Sequence, residues 1–266
     1  MAEEEAEGQA VETLQIVIAS AAQIPGVKIS REKYLASALR GKFSPEVVAL
    51  AIASSPAAAG ISPDELSPIA DASIRYEATK VTALSAVAGL PGGLAAAGTV
   101  PADLAQYFAH VIRISQKLAY LYGWENIFEG TAEELDDEAK SLLILFMGVM
   151  FGANGAADAV AKIAQNAAGA AQKQIAQKAL TKGVVYPVVK KVSGYLGVKM
   201  TRDVFAKGVS KVIPLIGGVI SGGITLATYA PMCLKLKGYL AELEMANPRA
   251  FVVEVAPCEG GDDCEK

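Results

Sequence analysis

The chain has a single histidine, His110, and any histidine-based acid–base chemistry would have to start there. It lies in the stretch 101–122, where Asp103, Gln106, His110, Arg113 and Lys117 follow one another at spacings of three, four, three and four. On an α-helix that spacing lines up one polar stripe. Leu104, Tyr107, Val111, Ile114, Leu118 and Leu121 then form the opposing apolar face. Carboxylate, imidazole and guanidinium on one stripe are the raw material of general acid–base catalysis. Asp103 and His110 are, however, about 10 Å apart along the axis, too far to hydrogen-bond directly. A polar seam, facing solvent or another helix, is the favoured reading over an acid–base site.

Other catalytic templates fail. There is no Gly-x-Ser-x-Gly elbow, no phosphate loop ending in Gly-Lys-Ser/Thr and no His-Glu-x-x-His. One histidine excludes a histidine-rich metal centre. Of the three cysteines, Cys233 lies in an apolar run, and Cys258 and Cys264 sit in an acidic tail. Two thiols with no histidine nearby make a poor zinc set, so reduced thiols are expected there rather than a metal or a disulfide. The expectation is a protein that is not an enzyme and needs no cofactor or metal.

The elements that must position these residues are helical. Hydrophobic residues make up 52% of the chain but aromatics only 6%, and alanine supplies much of the difference. Alanine favours helix and close helix packing, whereas period-2 strand patterns with hairpin turns are missing. An all-α multi-helix bundle follows. Ser30 and Ser44-Pro45 mark two helix starts. Ser62-Pro63-Asp64-Glu65 and Thr131-Ala132-Glu133-Glu134 have capping-box spacing. Pro68 is expected to restart the helix behind Ser67. The connection 54–67 divides a small N-terminal lobe (1–60, with an acidic start) from a larger bundle (61–247), and 248–266 reads as a disordered acidic tail. The acidic opening, Met-Ala-Glu-Glu-Glu, does not read as a secretory signal.

Three runs lack any charge: Val81–Ala102, Ser141–Ala157 and Val212–Leu234. The first and third are long enough to cross a bilayer. Gly89-Leu90-Pro91-Gly92-Gly93 interrupts the first, and Pro214, Gly217-Gly218, Gly222-Gly223 and Pro231 punctuate the third. Two glycine-broken apolar helical hairpins, buried in a soluble bundle, are favoured over membrane spans. Between 159 and 211 there are ten Lys/Arg against Asp203 alone, a surplus of nine. The net charge is −4, so the rest of the chain carries −13. A basic middle in an acidic protein suits an anionic surface, unless acidic neighbours balance it.

The segments Gly89–Gly93, Val100-Pro101-Ala102-Asp103-Leu104 and Gln116-Lys117-Leu118-Ala119-Tyr120-Leu121-Tyr122-Gly123 resemble the EcsC protein family. That family has a Gly-Pro-Gly-Gly type turn, a Pro-x-Asp-Leu helix opening and a helix ending in Tyr-Gly. Its later half carries Gly-x-Lys, as in Gly197-Val198-Lys199, and Lys-x-Ile-Pro-x-x-Gly-Gly/Ala, as in Lys211–Gly218. The family's asparagine beyond that turn is absent here, with Thr225 and Thr228 in the region. The resemblance covers roughly residues 45–245. It implies a helical bacterial protein working at or near the cytoplasmic membrane, beside an ABC transporter in the family's namesake, and it brings no catalytic residues.

The function expected is therefore a non-enzymatic, EcsC-like protein, cytoplasmic and peripheral on the inner face of the membrane. It would dock on anionic lipid or on a membrane protein such as an ABC transporter. The alternative is a soluble carrier of lipid or another apolar small molecule. Nucleic acid is a poor partner, because the basic segment has few aromatics and no binding motif. Ligand or membrane contact is assigned to Gly92, Gly93, Pro101, Asp103, His110 and Arg113, and to Lys190, Lys191, Lys199, Arg202, Lys211, Pro214, Gly217 and Gly218.

Overall fold

A serine placed before a helix accepts a hydrogen bond from an amide that would otherwise have no partner, and this local chemistry starts the first helices. The computed structural model describes residues 14–88, 102–127, 137–166, 187–188, 191–194 and 217–247. Side chains are described for 14–81, 105–127, 137–165, 187–188, 191–194 and 229–247. Helical residues 14–22 (α1) lead into α2 (Arg31–Leu39), where Ser30 Oγ accepts from the Lys33 amide at 3.3 Å. Ser44 Oγ accepts from the Val47 amide at 3.4 Å and opens α3 (Pro45–Ala53). The expected capping box opens α4 (Pro63–Ala88): Glu65 Oε2 accepts from the Ser62 amide at 2.9 Å, and Ser62 Oγ from the Glu65 amide at 3.4 Å. The second expected capping box, at Thr131–Glu134, lies outside the described residues.

Pro68 does not restart a helix; it sits inside α4. Its missing N–H deprives only the Asp64 carbonyl, and both residues lie on the exposed side, where water can replace that bond. The opposite stripe of α4 (Leu66, Ile69, Ala70, Ile74, Ala78 and Val81) is buried and holds the helix in one piece. A similar departure occurs in α8 (Gly217–Glu242), which runs through Gly222-Gly223 and Pro231, two of the interruptions expected from sequence. Glycine costs about 1 kcal/mol per helical position relative to alanine. Extensive packing of α8 along α4 offsets that cost, and Pro231 again faces outward. The expected break at Gly89–Gly93 lies outside the described residues.

The remaining helices are α5 (Ala102–Leu121), α6 (Asp137–Phe151) and α7 (Ala156–Asn166), with a 3-10 turn at Glu244–Ala246 behind α8. The fold is an all-α bundle. Among the described residues, β pairing is limited to an isolated bridge between Arg40 and Phe43. One core cluster extends from Leu14 on α1 to Ala246 in the last turn. The run Ser141–Phe151 on α6 is buried along its whole length. No helix among the described residues is long and apolar enough to cross a membrane.

Candidate functional site

An acidic residue on the apolar stripe of a helix must find partners, because an ionised carboxylate taken from water without them is costly. Glu77 occupies such a position on α4, in register with Ile74, Ala78 and Val81, and its side chain is completely buried. The polar stripe of α5 faces it. His110 Nδ1 lies 2.6 Å from Glu77 Oε2, and Arg113 Nε donates to the two carboxylate oxygens at 3.1 and 3.2 Å. Lys117 Nζ donates to Oε1. The seam expected from the sequence therefore faces another helix rather than solvent. His110, Arg113 and Lys117 are 12%, 24% and 10% exposed, so the cations keep only a narrow edge on water.

Burial pushes the Glu77 carboxyl upward. Hydrogen bonds from His110 and Lys117, and the charges of Lys117 and Arg113, outweigh that and hold it near 2. With Glu77 ionised, the bond to His110 requires the proton on Nδ1. Burial lowers the Lys117 ammonium, and Glu77 opposes the shift. Two basic side chains, Arg113 and Lys117, thus meet one carboxylate. Part of the surplus is taken up by aromatic faces: Lys117 Nζ lies 4.7 Å from the Tyr76 ring centroid and 5.9 Å from that of Tyr34. A backbone carbonyl takes more, since Arg113 Nη1 donates to Gly26. Tyr34 is held in turn by a 2.7 Å hydrogen bond between its hydroxyl and Ser73 Oγ.

The depressed carboxyl makes a pH prediction. Relative to an ordinary value of 4.5, the folded protein binds fewer protons at Glu77 than the unfolded chain does. The stabilisation is complete above pH 4.5 and is lost as pH falls through 4.5 towards 2. Urea unfolding across that window is expected to reveal a loss of about 3 kcal/mol. In Glu77→Gln that part of the acid slope should be missing.

Three further anchors were not among the sequence candidates. Gln116, fully buried, accepts from the Ile29 amide at 2.9 Å and donates to the Val27 carbonyl at 2.8 Å, stitching the 23–30 connection to α5. Arg31 donates to the carbonyls of Ile52 (2.7 Å), Ala51 (3.3 Å) and Ser54 (2.6 Å) at the end of α3, and to Trp124 (3.1 Å) beyond α5. Lys237 on α8 joins Asp71 on α4 at 2.6 Å. Their partners lie far away in sequence, and only the position of Glu77 on an apolar stripe carried a readable signal.

Of the residues assigned to ligand or membrane contact, the structure brings His110 and Arg113 together. Asp103 falls in the first turn of α5 with its side chain outside the described ones. Gly217 and Gly218 begin α8, and Lys191 is exposed on a short helical stretch. Gly92, Gly93, Pro101, Lys190, Lys199, Arg202, Lys211 and Pro214 lie outside the described residues, as do Cys258 and Cys264. Cys233 is buried on α8, and that burial pushes its thiol up to about 12, away from nucleophilic use. Among the described residues, no group of three His, Cys, Asp or Glu side chains could hold a metal ion. Compared with protein-family models, with curated proteins and with solved structures, the chain matches none.

Proposed function

We propose that this chain is a non-enzymatic, EcsC-like helical module that acts by peripheral association with an anionic membrane surface. The observation that carries the non-enzymatic part is the engagement of Glu77. A carboxylate offers about four acceptor positions, and His110, Arg113 and Lys117 make four contacts with it inside a fully buried site. Three N–H donors hold the carboxylate, the single Arg113 Nε hydrogen being shared between its two oxygens. Its proton affinity is kept low, so Glu77 is a poor base. His110 spends Nδ1 on it and has only Nε2 outside that bond. This constellation holds α4 to α5.

The membrane part is supported by charge. The basic surplus at 159–211 sits in a chain of net charge −4, and Lys191 within it is exposed. Basic residues near an anionic bilayer contribute roughly 1 kcal/mol each. The motif resemblance points the same way, to a bacterial protein at the inner face of the cytoplasmic membrane. The carrier reading is less well supported, because the one apolar run whose side chains are described in full at its centre, Leu142–Phe151, is buried throughout.

Co-sedimentation of the purified chain with neutral and anionic vesicles across a salt series tests the proposal. Binding to anionic vesicles alone, released by salt, is the expected outcome. Recovery in the supernatant with both vesicle types at low salt would overturn it.

A further inference from the structure

Helix α3 has the composition of a buried helix and the surroundings of a surface one. Its sequence is Pro-Glu-Val-Val-Ala-Leu-Ala-Ile-Ala, yet Ala51 is its one buried residue. Ala49, Leu50 and Ala53 are exposed, Leu50 to 49%, and they share one face with Glu46 at spacings of three, one and three. Val47, Val48 and Ile52 are half-buried against the core. We propose that this outer face of α3, with the basic turn Arg40–Lys42 before it, is the surface that seats in the headgroup layer of an anionic membrane. The inference rests on the peripheral-association reading and names the surface responsible.

Three observations favour a bilayer as the occupant. The first is charge. Residues 28–53 contain five basic side chains (Lys28, Arg31, Lys33, Arg40 and Lys42) against Glu32 and Glu46, opposite in sign to the whole chain at −4. Arg40 and Lys42 are exposed directly before α3. The second is the helix end. Backbone carbonyls that rely on water are expensive near an apolar phase. Here Leu50 O accepts from the Ser54 amide at 2.8 Å, while Arg31 occupies the carbonyls of Ala51, Ile52 and Ser54. Three of the last four carbonyls of α3 are thus engaged within the protein, which lowers the cost of taking that end out of water. The third is area. A nine-residue helix is about 14 Å long and 10 Å wide. It presents far less than the roughly 800 Å² per partner that a stable protein interface buries. A bilayer surface sets no such minimum, because it also engages the flanking cations.

The experiment compares the full chain with Leu50→Asp and with Arg40→Glu/Lys42→Glu on phosphatidylcholine vesicles with and without phosphatidylglycerol. Both substitutions are at exposed positions, and thermal melting by circular dichroism checks that each variant folds. Leu50→Asp is expected to weaken partitioning onto the anionic vesicles about tenfold. The charge reversal should weaken it at least tenfold and flatten the salt dependence. Leu50→Trp gives an independent readout. The chain's one native tryptophan, Trp124, is 4% exposed, so a blue shift on vesicle addition would come from position 50.

If the wild-type chain sediments with anionic vesicles, both charge and apolar variants follow it equally and Leu50→Trp does not shift, α3 is not the surface. Peripheral association then stands on the 159–211 segment. If the wild type does not sediment at all, the reading and the inference fall together. A concentration-dependent dimer abolished by Leu50→Asp, with vesicle binding unchanged, would overturn the inference in favour of a second copy of the chain.

Discussion

Replacing Glu77 with glutamine is expected to destabilise the protein by about 3–5 kcal/mol, because it removes one partner of a buried ionic cluster and leaves the others uncompensated. Lys117, at 10% exposed, and Arg113, at 24%, would then share a neutral amide. The melting temperature should fall by roughly 10 °C. The amide keeps the shape of the carboxylate, so the loss reports charge rather than packing. Glu77→Leu/Arg113→Met/Lys117→Met is the informative companion. It removes all three charges for apolar groups of similar volume, and such replacements are often neutral or stabilising. Recovery of stability in the triple variant would show that the single-variant loss comes from stranded cations. The sign of the Glu77→Gln effect also bears on function. Residues arranged for chemistry commonly cost the fold stability, and removing them tends to return it. A stabilised Glu77→Gln protein would therefore revive the acid–base reading of His110.

What could be read from the sequence, and what could not, follows the distance over which each interaction acts. Ser30, Ser44 and the Ser62–Glu65 pair were legible because their partners lie three residues away. The stripe His110, Arg113, Lys117 was legible because helical periodicity alone aligns it. Its partner Glu77 lies 33, 36 and 40 residues from them, and only its place among Ile74, Ala78 and Val81 hinted that an acid was going into the core. Arg31 and Gln116 reach carbonyls up to 93 and 89 residues off, and nothing local distinguishes them from surface polar residues. Pro68 and Pro231 misled for a different reason. The rule that proline ends a helix counts the lost hydrogen bond but not the packing on the far side. Both prolines point outward while the buried face of each helix continues.

Gly123→Ala is expected to cost about 3 kcal/mol, from two separable causes. Gly123 has φ +94°, and the Trp124 amide closes onto the Ala119 carbonyl at 3.0 Å, so α5 ends in a Schellman turn with glycine at its left-handed position. Alanine there pays about 1 kcal/mol for the backbone conformation alone. The larger part is collision. A Cβ at Gly123 would sit 2.8 Å from the Met245 carbonyl oxygen and 3.5 Å from its carbon, both backbone atoms of the 3-10 turn that follows α8. Backbone cannot swing aside as a side chain can, so either the α5 turn or the Met245 turn must move. Neither is free to do so. Tyr122 is fully buried, the Trp124 ring meets Phe146 edge-on at 5.1 Å, and the Trp124 carbonyl holds Arg31. Gly41→Ala isolates the first cause, since Gly41 has φ +72° with nothing within 4 Å of its would-be Cβ; it should lose only about 1 kcal/mol. Urea unfolding of the two variants gives the collision by difference. A difference near zero would mean that the Met245 turn yields easily. A difference of about 2 kcal/mol would establish that turn as a fixed buttress. Because Arg31 ties the same turn to the end of α3, the buttress would also help to hold the apolar helix at the surface.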